Sequence, residues 1–226
     1  MFFDLLFPSK CVGCRKIGKP LCGKCKEEIR PTKTDVCPGC FKPSPFGITH
    51  DYCRKNTFLD GALSVVHYRG VMRNIIKEAK YRLAYNTLDD FLENTPKAWY
   101  EKFHTFSMNF PSATLCPIPL HRIKHNMRGF NQSDILSKKF EKVTALETEK
   151  NIIRVKNTLP QASQSSRAMR RNNIQGAFEM KLNKTTANTI ILIDDLFTSA
   201  NTANEAARIL KINGAKQVYL FVLAHG

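Results

Sequence analysis

Long apolar runs are missing from this chain. Nowhere does it approach the roughly 20 consecutive apolar residues that a membrane helix needs. The opening Met1-Phe2-Phe3-Asp4-Leu5-Leu6-Phe7-Pro8 has neither a basic start nor the unbroken apolar stretch of an export signal. A soluble, cytoplasmic protein without membrane insertion is the expectation. Acid is also scarce: 19 Asp and Glu face 35 Lys and Arg, a formal charge of +16. The excess is concentrated, with +6 in residues 1–57 and +8 in residues 117–176. A polyanion, whether nucleic acid or a phosphate-rich small molecule, is the expected partner of such segments, set against a plain solubilising surface.

Cysteine is crowded rather than scarce, since seven of the eight lie between positions 11 and 53. In a reducing compartment that density points to metal, not disulfides. Cys11-x-x-Cys14 and Cys22-x-x-Cys25 are separated by seven residues, and Cys37-x-x-Cys40 is followed after nine by His50-x-x-Cys53. Two-residue spacers let both ligands of a knuckle reach one ion. The spacing therefore predicts two structural Zn2+ sites, one of four cysteines and one of three cysteines and a histidine. Closed tetrahedra leave no position for water and imply a structural or docking role.

Apolar patterning changes at Phe58, dividing the chain into residues 1–57 and 58–226. Ala62 to Tyr68 reads as a strand, Val71 to Leu83 as a helix, and a further helix passes through Leu88 and Phe91. Ala113 to Pro119 reads as a short strand ended by prolines, and Asn131 as the cap of a helix carrying Ile135, Leu136 and Phe140. Residues 157–176 have no apolar run and are expected to form a mobile arm. Thr189 to Ile193 is a buried strand, Thr202 to Ile212 a helix closed by Asn213-Gly214, and Gln217 to Ala224 a second buried strand. That order implies parallel pairing.

At the end of the Thr189 strand, Asp194 and Asp195 precede a turn of Thr198, Ser199, Ala200, Asn201 and Thr202. Ligands of open α/β sheets bind at such strand ends. Thr202 and Glu205 have capping-box spacing, and free N–H groups at a helix start favour phosphate. The Asp pair is suited to gripping the vicinal hydroxyls of a ribose; the plain alternative is a capped turn with two solvated acids. His67, His104 and Cys116 have no visible catalytic partner and read as core or surface residues.

The Asp194-Asp195 segment resembles the phosphoribosyl-pyrophosphate (PRPP) motif of type I phosphoribosyltransferases. Cys116-Pro117-Ile118-Pro119-Leu120-His121-Arg122, Arg128-Gly129-Phe130-Asn131-Gln132, Thr158-Leu159-Pro160-Gln161 and Gly176-Ala177-Phe178 resemble the ComF competence family. With the cysteine module in front, the resemblance covers nearly the whole chain. It implies an α/β, type I phosphoribosyltransferase fold, a mostly parallel sheet flanked by helices, behind a small N-terminal double zinc ribbon. It further implies PRPP bound with Mg2+, with residues 198–202 on the 5-phosphate, Asp194 and Asp195 on the ribose, and Arg128 near the pyrophosphate. Arg167, Arg170 and Arg171 fall in the same basic segment. The implied role is natural competence, DNA uptake or nucleotide salvage. One departure stands out: the family's loop has glycine where this chain has Ala200, which restricts positive φ and close approach to phosphate. A protein that binds single-stranded DNA on its basic segments, or one that docks a competence helicase through its zinc ribbon, is the competing expectation.

Overall fold

The structure, a computed structural model, describes residues 10–80, 85–158, 173–182 and 186–226. Leu83, Leu159 to Gln161, Arg167, Arg170 and Arg171 lie outside them. The described strands are β1 (Gly61–His67), β2 (Thr114–Pro117), β3 (Ile152–Arg154), β4 (Phe178–Met180), β5 (Thr189–Phe197) and β6 (Gln217–His225). The α-helices are α1 (Gly23–Glu27), α2 (Gly70–Glu78), α3 (Tyr85–Glu93), α4 (Glu101–Ser107), α5 (Arg122–Arg128), α6 (Gln132–Thr144) and α7 (Asn201–Ile212).

β1, β6, β5 and β2 form one four-stranded sheet in that order, every pair parallel. A parallel sheet is covered on both faces, and its central strands are therefore apolar throughout rather than alternating. Ile190 to Ile193 of β5 are accordingly fully buried. Ile191, Ile193, Tyr219 and Phe221 face α2, α3, α4 and α6, while Ile190, Leu192, Leu220 and Val222 face α7. The first layer is aromatic, with Phe103 edge-on to Phe221 at 4.7 Å and Phe106 edge-on to Tyr219 at 4.8 Å. The second is close because Ala203, Ala206 and Ala207 line the sheet side of α7. The sequence thus builds the expected α/β class. β3 and β4 form a separate antiparallel ribbon.

The described residues of the cysteine segment form no core of their own. Val12, Leu21, Cys25 and Ile29 join the aromatic layer beside Val71, Met72, Ile75 and Ile76. Pro31 and Ile48 bridge to Val66 and Gly61, so the segment covers the edge that β1 would otherwise expose. Asp35 ties it further in, accepting from Lys102 Nζ at 2.7 Å and from the Ser64 N–H at 3.3 Å.

Three boundaries differ from the sequence reading. The helix expected to reach Leu83 closes at Glu78, with Ala79 as its C-cap. β5 continues past Ile193 to Phe197 because β6 keeps pairing with it, Phe197 lying opposite His225. α7 begins at Asn201, and Thr202 and Glu205 make no capping box: the cap position is Ala200, without a side-chain bond. Glu205 instead accepts from the Gly176 N–H and from Arg208. The Asn131 cap forms as expected, its side chain accepting from the Ser133 N–H.

Candidate functional site

The cysteine spacing becomes two compact tetrads. Cys11, Cys14, Cys22 and Cys25 form one, and Cys37, Cys40, His50 and Cys53 the other, with ligand atoms in each within 4.8 Å of one another. Cys14 Sγ and Cys22 Sγ are 3.8 Å apart, about the 3.8 Å edge of a tetrahedron whose Zn–S bonds are ~2.3 Å. His50 joins its tetrad through Nδ1, 3.3 Å from Cys40 Sγ. The Cys22 and His50 N–H groups donate to Cys11 Sγ and Cys37 Sγ, each at 3.4 Å, the kind of outer hydrogen bond that holds a thiolate ligand in place.

Burial and neighbouring thiols push Cys25 and Cys53 up to about 12. Cys40 is brought down to about 6 chiefly by the Lys42 N–H. Burial also opposes ionisation of Cys11, yet the N–H groups of Cys22, Cys14 and Gly13 outweigh it and bring it to about 6. Thiolates so crowded need a cation to ionise together, and zinc supplies it. The donor sets and their spacing fit the metal.

Where β2 stops, the edge of β5 opens. The last β2 pairing is Pro117 with Ile193, and the Ile118 N–H still donates to the Ile193 carbonyl at 2.9 Å. Beyond it β5 carries Asp194 and Asp195. The long helix α6, which follows β2, packs on one face of the sheet and the helix that follows β5 on the other. The crevice between these two strand ends is therefore a topological switch point, where open α/β sheets bind ligands.

A cavity of about 600 Å³ occupies that crevice. Thr198, Ser199, Ala200, Asn201, Thr202, Asp194, Asp195 and Arg128, the residues singled out in the sequence, all line it. The sequence reading missed Arg73, Lys77, Lys80, Lys124 and Arg154, which line it too. Arg73, Lys77 and Lys80 recur at intervals of four and three, which places them on one side of α2 and its following turn. Only the fold shows that this side meets the cavity.

The two carboxylates sit low among these cations. Asp194 accepts from Ser133 Oγ at 3.2 Å and from the Asp195 N–H at 2.9 Å. Its pKa is nevertheless pushed up to about 7 by burial and by the Asp195 charge. Burial raises Asp195 as well, against the pull of Lys80 and Arg128. Lys124 is lowered by burial and by the charges of Arg154, Arg128 and Lys80, so the cations crowd one another. Arg154 lies 5.4 Å over the Phe178 ring and donates to Thr158 Oγ1. Its Nε, and Nδ2 of Asn201, are shielded donors with no hydrogen-bond partner among the described residues. Buried donors are rarely left so, and both belong to residues of the cavity wall.

Ala200 takes φ 56° and ψ −6°, the left-handed conformation that glycine adopts freely. The alanine therefore sits in a backbone conformation that glycine favours. It holds a glycine-type turn at a cost of about 1–2 kcal/mol. Cys116 is fully buried, its thiol pushed up to about 11 by burial, as suits a core residue.

A double zinc ribbon joined to a parallel sheet with this crevice has a phosphoribosyltransferase-like α/β fold. Comparison with known proteins bears out the resemblance to the ComF family. Residues 2–56 match the double zinc ribbon domain family. The chain is similar to competence protein F of Haemophilus influenzae, 26% identical over 219 residues, covering 95% of this chain and 89% of that protein. It is 27% identical over 221 residues to competence protein ComFC of Bacillus subtilis, covering 92% and 85% respectively. DNA utilization protein YhgH of Escherichia coli K12 is 25% identical over 230 residues, covering 97% and 98%. Among the described residues no helix is long and apolar enough to cross a membrane.

Proposed function

We propose that the chain is a PRPP-binding, phosphoribosyltransferase-like protein that acts in competence and DNA uptake or in nucleotide salvage, in the cytoplasm. The observation that carries this reading is the switch-point cavity, in which six cationic side chains surround an Asp pair. A ligand with two separated phosphate groups and a diol matches that wall. Residues 198–202 take the 5-phosphate on the orphan N–H groups at the start of α7. Asp194 and Asp195 accept from the ribose hydroxyls. Arg128, with Arg73, Lys77 and Lys80, meets the pyrophosphate. If transfer follows, the bond from the ribose C1 to pyrophosphate breaks as the bond to an acceptor forms. The cations then stabilise the leaving charge while the carboxylates offset the positive charge on the sugar. Mg2+ bound with the pyrophosphate would add to that stabilisation. Residues 1–57 and 58–226 act as scaffold and ligand-binding unit respectively.

The second reading, single-stranded-DNA binding or helicase docking on the same fold, is favoured by the concentration of charge in residues 1–57 and 117–176. It also draws on the names of the competence and DNA utilization relatives. Calorimetric titration separates the two. PRPP should bind in a Mg2+-dependent way and lose at least about tenfold in affinity in Asp194→Asn/Asp195→Asn, a loss of one or more charge-assisted hydrogen bonds. Oligonucleotide binding that collapses with salt, without any PRPP binding, would instead select the DNA reading.

A further inference from the structure

The turn at residues 198–203 has little to hold its own shape. Its cap residue is a left-handed alanine, and no side chain caps α7. Support comes from outside, at both ends of the turn, and both supports lead to the second zinc tetrad. Before the turn stands Phe197, the last residue of β5, 3% exposed. Its ring stacks on Phe41 at 5.2 Å and 20°, and Phe41 follows the ligand Cys40 directly. After the turn stands Asn204, whose N–H closes the first turn of α7 on the Ala200 carbonyl at 2.7 Å. Its Oδ1 accepts twice, from Thr57 Oγ1 at 2.8 Å and from the Phe58 N–H at 2.6 Å. Thr57 is four residues past the ligand Cys53 and packs beneath the knuckle. A Cβ at Gly39 would lie 3.6 Å from Thr57 Cγ2 and 2.6 Å from Cys53 Cβ.

We infer that the second zinc site, Cys37, Cys40, His50 and Cys53, fixes the conformation of the 198–203 turn, with Phe41 and Asn204 as the positioning residues through which it acts. The two contacts are independent in kind, one a ring stack and the other a pair of hydrogen bonds. Closing the tetrad brings Phe41 and Thr57 into fixed relation, and the turn is stretched between their two partners. What the inference says of ligand affinity rests on the phosphate-binding reading above; what it says of the turn does not.

Hydrogen–deuterium exchange on the full, zinc-loaded chain tests it. In Phe41→Leu and in Asn204→Ala, amides of residues 198–204 should exchange about tenfold faster than in the unaltered protein, the loss expected from one hydrogen bond or ring contact. Zinc content should stay at the level of the parent protein, and the core strands should keep their protection. Ribose 5-phosphate should bind about tenfold more weakly, whereas inorganic pyrophosphate, held by α2 and Arg128, should change by less than about twofold. Unaltered exchange at 198–204 in Asn204→Ala, which leaves both tetrads intact, overturns the inference even if Phe41→Leu loses zinc. If the parent protein binds no ribose 5-phosphate, the PRPP reading fails and the exchange rates still decide this one.

Discussion

In the first zinc knuckle the Cys11 N–H donates to the Lys16 carbonyl at 2.9 Å, and in the second the Cys37 N–H donates to that of Lys42 at 2.9 Å. Arg15 and Phe41, each just past the second ligand, both take φ 62°. Gly13 and Gly39 each sit where a Cβ would come within 2.6 Å of the last cysteine of the same tetrad. The backbone is thus repeated, and the surroundings are not. The first knuckle lies against α2, with Asn74 Nδ2 donating to the Val12 carbonyl at 3.3 Å and Cys11 and Cys25 inside the larger core layer. The second lies against β5 and α7 on the opposite face. The repeated ligand spacing goes with a repeated local chain path, and the few side chains between the ligands decide which wall of the cavity each knuckle backs.

The difference predicts unequal losses. Cys25→Ser removes a ligand shared with the main core, and the zinc contribution to a structural site is of order 10 kcal/mol. The whole chain is expected to lose its cooperative melting transition, read by thermal denaturation. Cys53→Ser should release one zinc by elemental analysis and still melt cooperatively, at a lower temperature. Equal collapse of both variants would make the two knuckles equivalent and erase the contrast between them.

Smaller effects probe the repeat itself. Gly13→Ala and Gly39→Ala should each cost about 1–3 kcal/mol by overpacking, measured from denaturant midpoints. Gly13→Ala is expected to be the worse of the two, since its Cβ would also meet Val71 Cγ2 at 3.1 Å. The smallest and sharpest contrast lies at the left-handed positions. Arg15→Gly should stabilise by about 1 kcal/mol, because relief of strain outweighs the added freedom of the unfolded chain and the loss of a half-exposed ion pair with Glu78. Phe41→Gly relieves the same strain and is expected to destabilise, since it also removes the stack on Phe197. Ala200→Gly should behave like Arg15→Gly, raising stability by about 1 kcal/mol.

Much of this architecture was legible in the residues themselves. Cysteine spacing announces two tetrads because each ligand pair is local, and β5, α7 and β6 announce themselves because a strand buried on both faces has little choice but to be apolar. The Asp194-Asp195 segment was legible because the apolar run of β5 breaks off at these two acids, although the strand itself continues to Phe197. What escaped depends on distant partners. Glu205 has capping-box spacing from Thr202, but the Gly176 N–H and Arg208 claim its carboxylate. α4 and the β3–β4 ribbon are too short to show a period, and only Phe103, Phe106, Ile152 and Phe178 mark their buried sides. The cations of α2 read as an ordinary solvated face until the sheet order brings that helix to the crevice.

The raised pKa of Asp194 makes folding a proton-uptake reaction. In the unfolded chain its carboxyl ionises near the usual ~3.9, whereas in the folded protein it holds its proton up to about 7. Between those two values the native state binds more protons than the unfolded one, and stability declines as pH rises through the window. The unliganded protein should therefore melt at a higher temperature at pH 5 than the same group would allow at pH 8. In Asp194→Asn that part of the slope should vanish. An acidic medium, which strips paired carboxylates elsewhere of their stabilising charge, here relieves the fold of one buried charge and of its repulsion with Asp195.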